Sequence, residues 1–138
     1  MWWINALLSA VFAALTAILA KLGVKGVEPN VATAVRTVVA LALSWMVVAF
    51  QGNLGTVATI PRSSLAFLLL SGCATGASWL FYFRALHSGP VGLVSAVDRS
   101  SLAFTLVLAA IFLGETLTLR TAIGCGLMLA GLAVIAWP

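Results

Sequence analysis

The chain has 138 residues, 63% of them apolar and 7% charged, with a net charge of +4 and a mean hydropathy of +1.19. A soluble domain carries about 25% charged residues, so a water-soluble globule is excluded. The seven basic residues are spread along the chain without a clustered face, which excludes a nucleic-acid partner.

A helix needs about 20 mostly apolar residues to cross a bilayer. Five runs meet that need, at 3–21, 31–50, 64–86, 91–113 and 120–137. The fold expected is an all-α integral membrane protein, one transmembrane domain over residues 1–138 with short connectors and the lipid bilayer as its surroundings. The first run, ALLSAVFAALTAILA, has the length of a signal-peptide core. The MWWIN before it lacks the Lys or Arg of such a signal, so it is read as a retained span. Trp2 and Trp3 are expected as interfacial anchors, matched by Trp137 at the other end.

Lys21 closes the first span, and KLGVKGVEPN turns the chain into the second, with Pro29 and Asn30 suited to a helix start. The second span carries Arg36. In the next connector, QGNLGTVATIPRSS, residues Asn53, Gly55 and Pro61 are expected to break any helix, and Ser63 and Ser64 can cap the third span. That span ends in WLFYFR. ALHSGP leads to the fourth span, which ends at LGE, and TLTLR leads to the fifth. Rows of small residues mark expected packing faces: Ser9, Ala13 and Ala17, then Gly72 and Gly76, then Ala122, Gly126 and Ala130. Cys73 and Cys125 fall inside spans, where a thiol acts as a small apolar group, so neither a disulfide nor a metal site is expected. His87 is read as a solvated helix-end residue and Glu115 as a capping or loop residue. Neither a nucleophile motif nor a phosphate-binding loop is visible, so no enzyme and no cofactor is expected.

The charged stretch SAVDRSS, residues 95–101, stands out within this frame. Asp98 lies eight residues past Pro90, about 12 Å deep at ~1.5 Å per residue, close to the middle of a ~30 Å core. Each embedded charge costs about 2.5–3.5 kcal/mol there. The eleven Leu, Ile, Val and Phe residues from 93 to 113 return about 3–7 kcal/mol, leaving the span marginal alone. Adjacent helical side chains diverge by roughly 100°, and none of Val94, Ser95, Ser101 and Leu102, at three and four residues from Asp98, is basic. Asp98 therefore needs a cation from another helix. Arg36, about 10 Å deep, and Arg84, near the end of the third span, enter from the same membrane face as Asp98 and Arg99. The cluster is read either as a structural clasp or as a binding site with excess positive charge for an anionic group on a solute or lipid. Trp79 and Tyr82, one turn before Arg84, are placed beside it, as pocket residues or as an interfacial belt.

The stretch VGLVSAVDRSSLAFTLVLAAIFLGETLTLRTAIGCGLMLAGLAVIA resembles the last two helices of an EamA-type domain of the drug/metabolite transporter superfamily. The features that carry this are PVG at the start of the fourth helix, the SS pair, LGE at its end and IG…LAG in the fifth. ALTAILAKLGVKGVEPNVATAVRT is similar to the family's first two helices, with its arginine in the second. The short, single-domain, five-helix branch fits best, with its D-K/R-x-S opening helix four and its xxYFRAL ending helix three. The resemblance implies a secondary transporter for a small organic or amphiphilic solute, working by alternating access in a bacterial or archaeal inner membrane. Larger relatives have two such halves in inverted orientation, so one half implies self-association. The basic residues at the loops tie, with Lys21 and Lys25 on one face and Arg62 and Arg120 on the other. The positive-inside rule then sets no direction, which permits an antiparallel homodimer. The four-helix multidrug relatives use a glutamate in helix one, and residues 6–20 here hold no acid. The alternative expectation is a non-transporting membrane subunit whose embedded charges serve only assembly.

Overall fold

The computed structural model describes residues 1–137. Those residues contain five helices long and apolar enough to cross a membrane: Trp2–Gly23, Pro29–Phe50, Arg62–Ser88, Val91–Leu113 and Leu119–Ala136. Lipid offers no partner for backbone polar groups, so segments this apolar must satisfy their N–H and C=O groups internally, as helices do. Hydroxyls inside the spans follow the same rule. Thr33, Thr37, Ser44, Thr75 and Thr105 each donate to the carbonyl four residues earlier, at 2.8–2.9 Å.

The chain clusters into two compact units, Met1–Ser88 and a second from Gly89 onward. The first holds α1 (Trp2–Gly23), α2 (Pro29–Phe50), a 3₁₀ helix (Asn53–Thr59) and α3 (Arg62–Ser88). Both α1 and α2 pack on α3. Gly26, at φ 74°, turns the chain between α1 and α2. The Glu28 carboxylate then caps α2 by accepting from the Val31 N–H at 2.9 Å, with Pro29 in the first turn. The connector after α2 differs from its sequence reading. Residues 53–59 form a 3₁₀ helix rather than an irregular loop, because the Thr56 and Thr59 hydroxyls donate to the Asn53 and Thr56 carbonyls and so tie the backbone at the i→i+3 spacing of such a turn.

The buried residues gather towards one end of this unit. Val24 follows α1, Thr33 lies in the first turns of α2, and Phe83 and Leu86 lie in the last turns of α3; Ala17 sits two turns earlier in α1. Away from that end, most apolar side chains are exposed and available to lipid. Gly72 and Gly76 belong to that open surface, where a Cβ at either would meet nothing within 4 Å.

The second unit holds α4 (Val91–Asp98), α5 (Ser101–Leu108), a π-helical turn (Ala109–Leu113) and α6 (Leu119–Ala136). Both α4 and α5 pack on α6. Thr118 caps α6, accepting from the Thr121 N–H at 3.2 Å. The fourth span is not one continuous α-helix. At Arg99 and Ser100 the hydrogen bonds tighten to i→i+3, from Ser100 N–H to the Val97 carbonyl and from Leu102 N–H to that of Arg99. At its far end the turn widens, and the Glu115 N–H reaches back six residues to the Ala109 carbonyl. Gly114 closes it at φ 67°. An L side chain in that left-handed region costs about 1–2 kcal/mol, so Gly114→Ala is expected to destabilise by that amount in detergent unfolding. Gly92→Ala, with helical backbone and open space around its Cβ, should instead stabilise by about 0.5–1 kcal/mol.

Candidate functional site

Charge is divided unevenly between the units. The first carries Lys21, Lys25, Arg36, Arg62 and Arg84 against Glu28 alone, whereas the second carries Asp98 and Glu115 against Arg99 and Arg120. The net +4 therefore resides in Met1–Ser88, and its one carboxylate is engaged in capping α2.

Arg36 lies in the third turn of α2, one turn after buried Thr33 and facing α3. Its guanidinium sits 4.3 Å from the Trp79 ring centroid and 5.5 Å from that of Phe83. Trp79 and Phe83 are four residues apart in α3, so their rings share one face of that helix. A cation over an aromatic face is attracted by about 0.5–1 kcal/mol at exposed sites and about 2 when desolvated, and Arg36 is half-buried. The rings do not use its N–H donors. The buried Nη1 of Arg36 has no hydrogen-bond partner. Tyr82 packs edge-on against Phe83, with ring centroids 6.2 Å apart and planes at 66°.

Arg84 lies one residue further and takes other partners. Its Nε donates to the Asn30 Oδ1 at 3.4 Å, and its guanidinium lies 6.0 Å from the Phe81 ring. With 27 residues, α3 spans about 40 Å, more than a ~30 Å hydrocarbon core. The exposed Arg84 and His87 in its last two turns are thus well placed for the headgroup layer. Lys21 reinforces the same end, donating through Nζ to the Leu86 carbonyl at 2.6 Å. That carbonyl is among the last four of α3, which have no partner within the helix, and a cation there also opposes the helix dipole. Lys21→Met is expected to cost about 1.5 kcal/mol, the low end for a charged hydrogen bond, read as a lowered unfolding midpoint.

Beside Arg36 lies a cavity of about 510 Å³ between α1 and α2, closed on one side by α3. Its lining is Thr16, Leu19, Ala20 and Gly23 of α1, Val27 of the connector, Ala32, Val35 and Arg36 of α2, and Phe83 of α3. The volume lies within the roughly 300–1,000 Å³ of small-molecule sites. Arg36 is its one charged lining residue. Trp79 and Tyr82 do not line it; Phe83 takes that place.

In the second unit, Asp98 ends α4 and Arg99 follows it, both exposed. Both residues lie at the junction between the C-terminus of α4 and the N-terminus of α5, so the partial charges of the two helix ends act on each in opposite senses. Arg99, with Ala96, Leu102, Cys125, Met128, Leu129 and Leu132, lines a niche of only about 30 Å³, room for about one water. Among the described residues no group of three or more His, Cys, Asp or Glu is placed to hold a metal ion.

Sequence reasoning paired Arg36 with a carboxylate and did not place Phe83, the cavity wall on α1 or the Asn30 contact with Arg84 at the site. The spacing of Trp79 and Phe83 was a readable signal for the first of these. Nothing in one sequence gives the rotational phase that sets α1 against α2.

The whole chain bears on identity. Residues 1–137 match the family described as the EamA-like transporter family. A protein from a Sinorhizobium species, described as an uncharacterized transporter in the cobO 3′ region, is 44% identical over 135 residues, covering 98% of this chain and 96% of that protein. No solved structure matches the chain. Five membrane-length helices, an all-helical fold and a family match over essentially every residue lead to one conclusion: the chain belongs to the EamA-like transporter family.

Proposed function

We propose that the protein is a secondary transporter of a small organic or amphiphilic solute with an anionic moiety. It works by alternating access, as a homodimer in a bacterial or archaeal inner membrane. Each chain is one transmembrane domain equivalent to half of a ten-helix relative, and the tie in loop charges supports an antiparallel pairing of two copies. The observation that carries the reading is Arg36, whose embedded guanidinium rests on aromatic faces, has a nitrogen without a hydrogen-bond partner and lines a ligand-sized cavity. Cations in a membrane interior mark solute pathways, and a guanidinium presents a planar fork suited to carboxylate or phosphate.

In this reading Arg84 and Arg99 add positive potential and receive the solute at the membrane face, while Trp79 and Tyr82 fix the Arg36 neighbourhood. Asp98 balances part of the basic charge. Asp98→Asn is then expected to lower thermal stability, and an unchanged unfolding temperature removes Asp98 from the cluster. A ligand-stabilisation screen of purified protein tests the whole reading. Anionic metabolites should raise the melting temperature, and Arg99→Ala should remove that response. A variant that is merely less stable, with no solute effective on either protein, overturns it. Reporters at both termini test the assembly: two populations support antiparallel dimers, and one fixed orientation removes them.

A further inference from the structure

The cavity between α1 and α2 has a composition that the transport reading alone does not require. Eight of its nine lining residues are uncharged, and seven of those are apolar or glycine: Leu19, Ala20, Gly23, Val27, Ala32, Val35 and Phe83. The remaining two, Thr16 and Arg36, supply a hydroxyl and a guanidinium. A site for a small, strongly hydrated anion would surround it with donors; this one offers a single cation on an oily wall.

We infer that this cavity binds a singly charged anionic amphiphile, with its head on Arg36 and its apolar body between α1 and α2. Burial of methylene groups in such a wall adds affinity in proportion to the area removed from water. At ~30 Å³ per water-sized group, the space holds on the order of 17 non-hydrogen atoms. A single short chain or a fused-ring acid fits, and a two-chain lipid can place only part of one chain there. Charge complementarity selects the head. The surrounding unit is net positive and its one carboxylate, Glu28, is occupied at the cap of α2, so a cationic amphiphile would meet repulsion without compensation. The inference rests on Arg36 as the anion anchor and adds the class of molecule that accompanies the anion.

Trp79 provides the readout, because its ring lies 4.3 Å from the guanidinium that the head would engage. In a full-length variant with Trp2, Trp3, Trp45 and Trp137 replaced by Phe, the remaining Trp79 fluorescence is titrated in neutral phosphatidylcholine nanodiscs. The probes are acetate, octanoate and octylammonium. Octanoate should shift the Trp79 emission with an affinity at least about tenfold tighter than acetate, and octylammonium should give no saturable shift. Gly23→Leu, whose Cβ meets nothing within 4 Å, fills the cavity. It should weaken octanoate at least about tenfold while leaving acetate unchanged, and it does not depend on the folding of an Arg36 variant. Acetate and octanoate binding equally, or Gly23→Leu leaving octanoate untouched, overturns the amphiphile while sparing the anion anchor. No response to either carboxylate overturns both. A saturable octylammonium response overturns the choice of head. Repeating the titration with phosphatidylglycerol in the disc identifies the source: competition with octanoate assigns the pocket to a membrane lipid, and its absence to a free solute.

Discussion

Replacing Arg36 with lysine is expected to weaken binding of an anionic solute by about ten- to a hundredfold while leaving the protein folded. Both side chains are cations, so a pure point-charge site would scarcely distinguish them. The Arg36 guanidinium is a planar group held over aromatic rings, 4.3 Å from the Trp79 centroid and 5.5 Å from that of Phe83. An ammonium is compact and strongly hydrated, lacks the fork that meets two oxygens at once, and stacks poorly. Losing one charged hydrogen bond of about 1.5–3 kcal/mol corresponds to that loss in affinity. Arg36→Met, which removes the charge, should weaken binding by about a hundredfold or more. The check is solute binding and counterflow in proteoliposomes for wild type, Arg36→Lys and Arg36→Met. Equal activity of wild type and the lysine variant would show that the site reads charge alone.

Trp79→Ala is expected to carry the second large effect, and to affect stability and binding together. Truncating a packed Trp costs about 3–5 kcal/mol in a core. Trp79 is half-buried, which places the expected loss nearer 2–3 kcal/mol, including about 1 for the cation–π contact. Arg36 then loses its nearer ring and must find another orientation, so affinity should fall as well. Trp79→Phe separates the two contributions. It restores most of the packing but provides a weaker face for the cation, so stability should return further than affinity does. Denaturant titration paired with binding isotherms makes the comparison, and full recovery of both by Phe would leave the indole without a special part.

The five spans were legible because their signal is compositional: runs of about 20 apolar residues in a chain with 7% charge have few alternatives. The place of Arg36 along α2 was legible too, since rise per residue converts its sequence distance from Pro29 into about 10 Å of helix. Its neighbours were not. Sequence logic matched a cation to an anion, whereas α3 presents two aromatic rings, and which face of α3 turns towards α2 is set by packing over the whole unit. The break in the fourth span was also hidden. SAVDRSSLA has no Gly or Pro, and the change at Arg99–Ser100 is a tightening of hydrogen bonds that stays within right-handed helical torsions, with Arg99 at φ −68°, ψ −12° and Ser100 at −61°, −19°. The cavity arises where Thr16, Ala20 and Gly23 present little bulk on one face of α1, a row beside the Ser9, Ala13 and Ala17 row read as a packing face.

The interrupted fourth span has a mechanical consequence. Its stiff pieces, α4 and α5, are eight residues each, about 12 Å, so each rod reaches less than halfway across the oily layer. With one joint near its middle and a wider coil at its exit, the segment can tilt in one leaflet while its other half stays put. Amide exchange should accordingly be fastest at residues 99–100 and 109–115, leaving two protected islands within a single crossing.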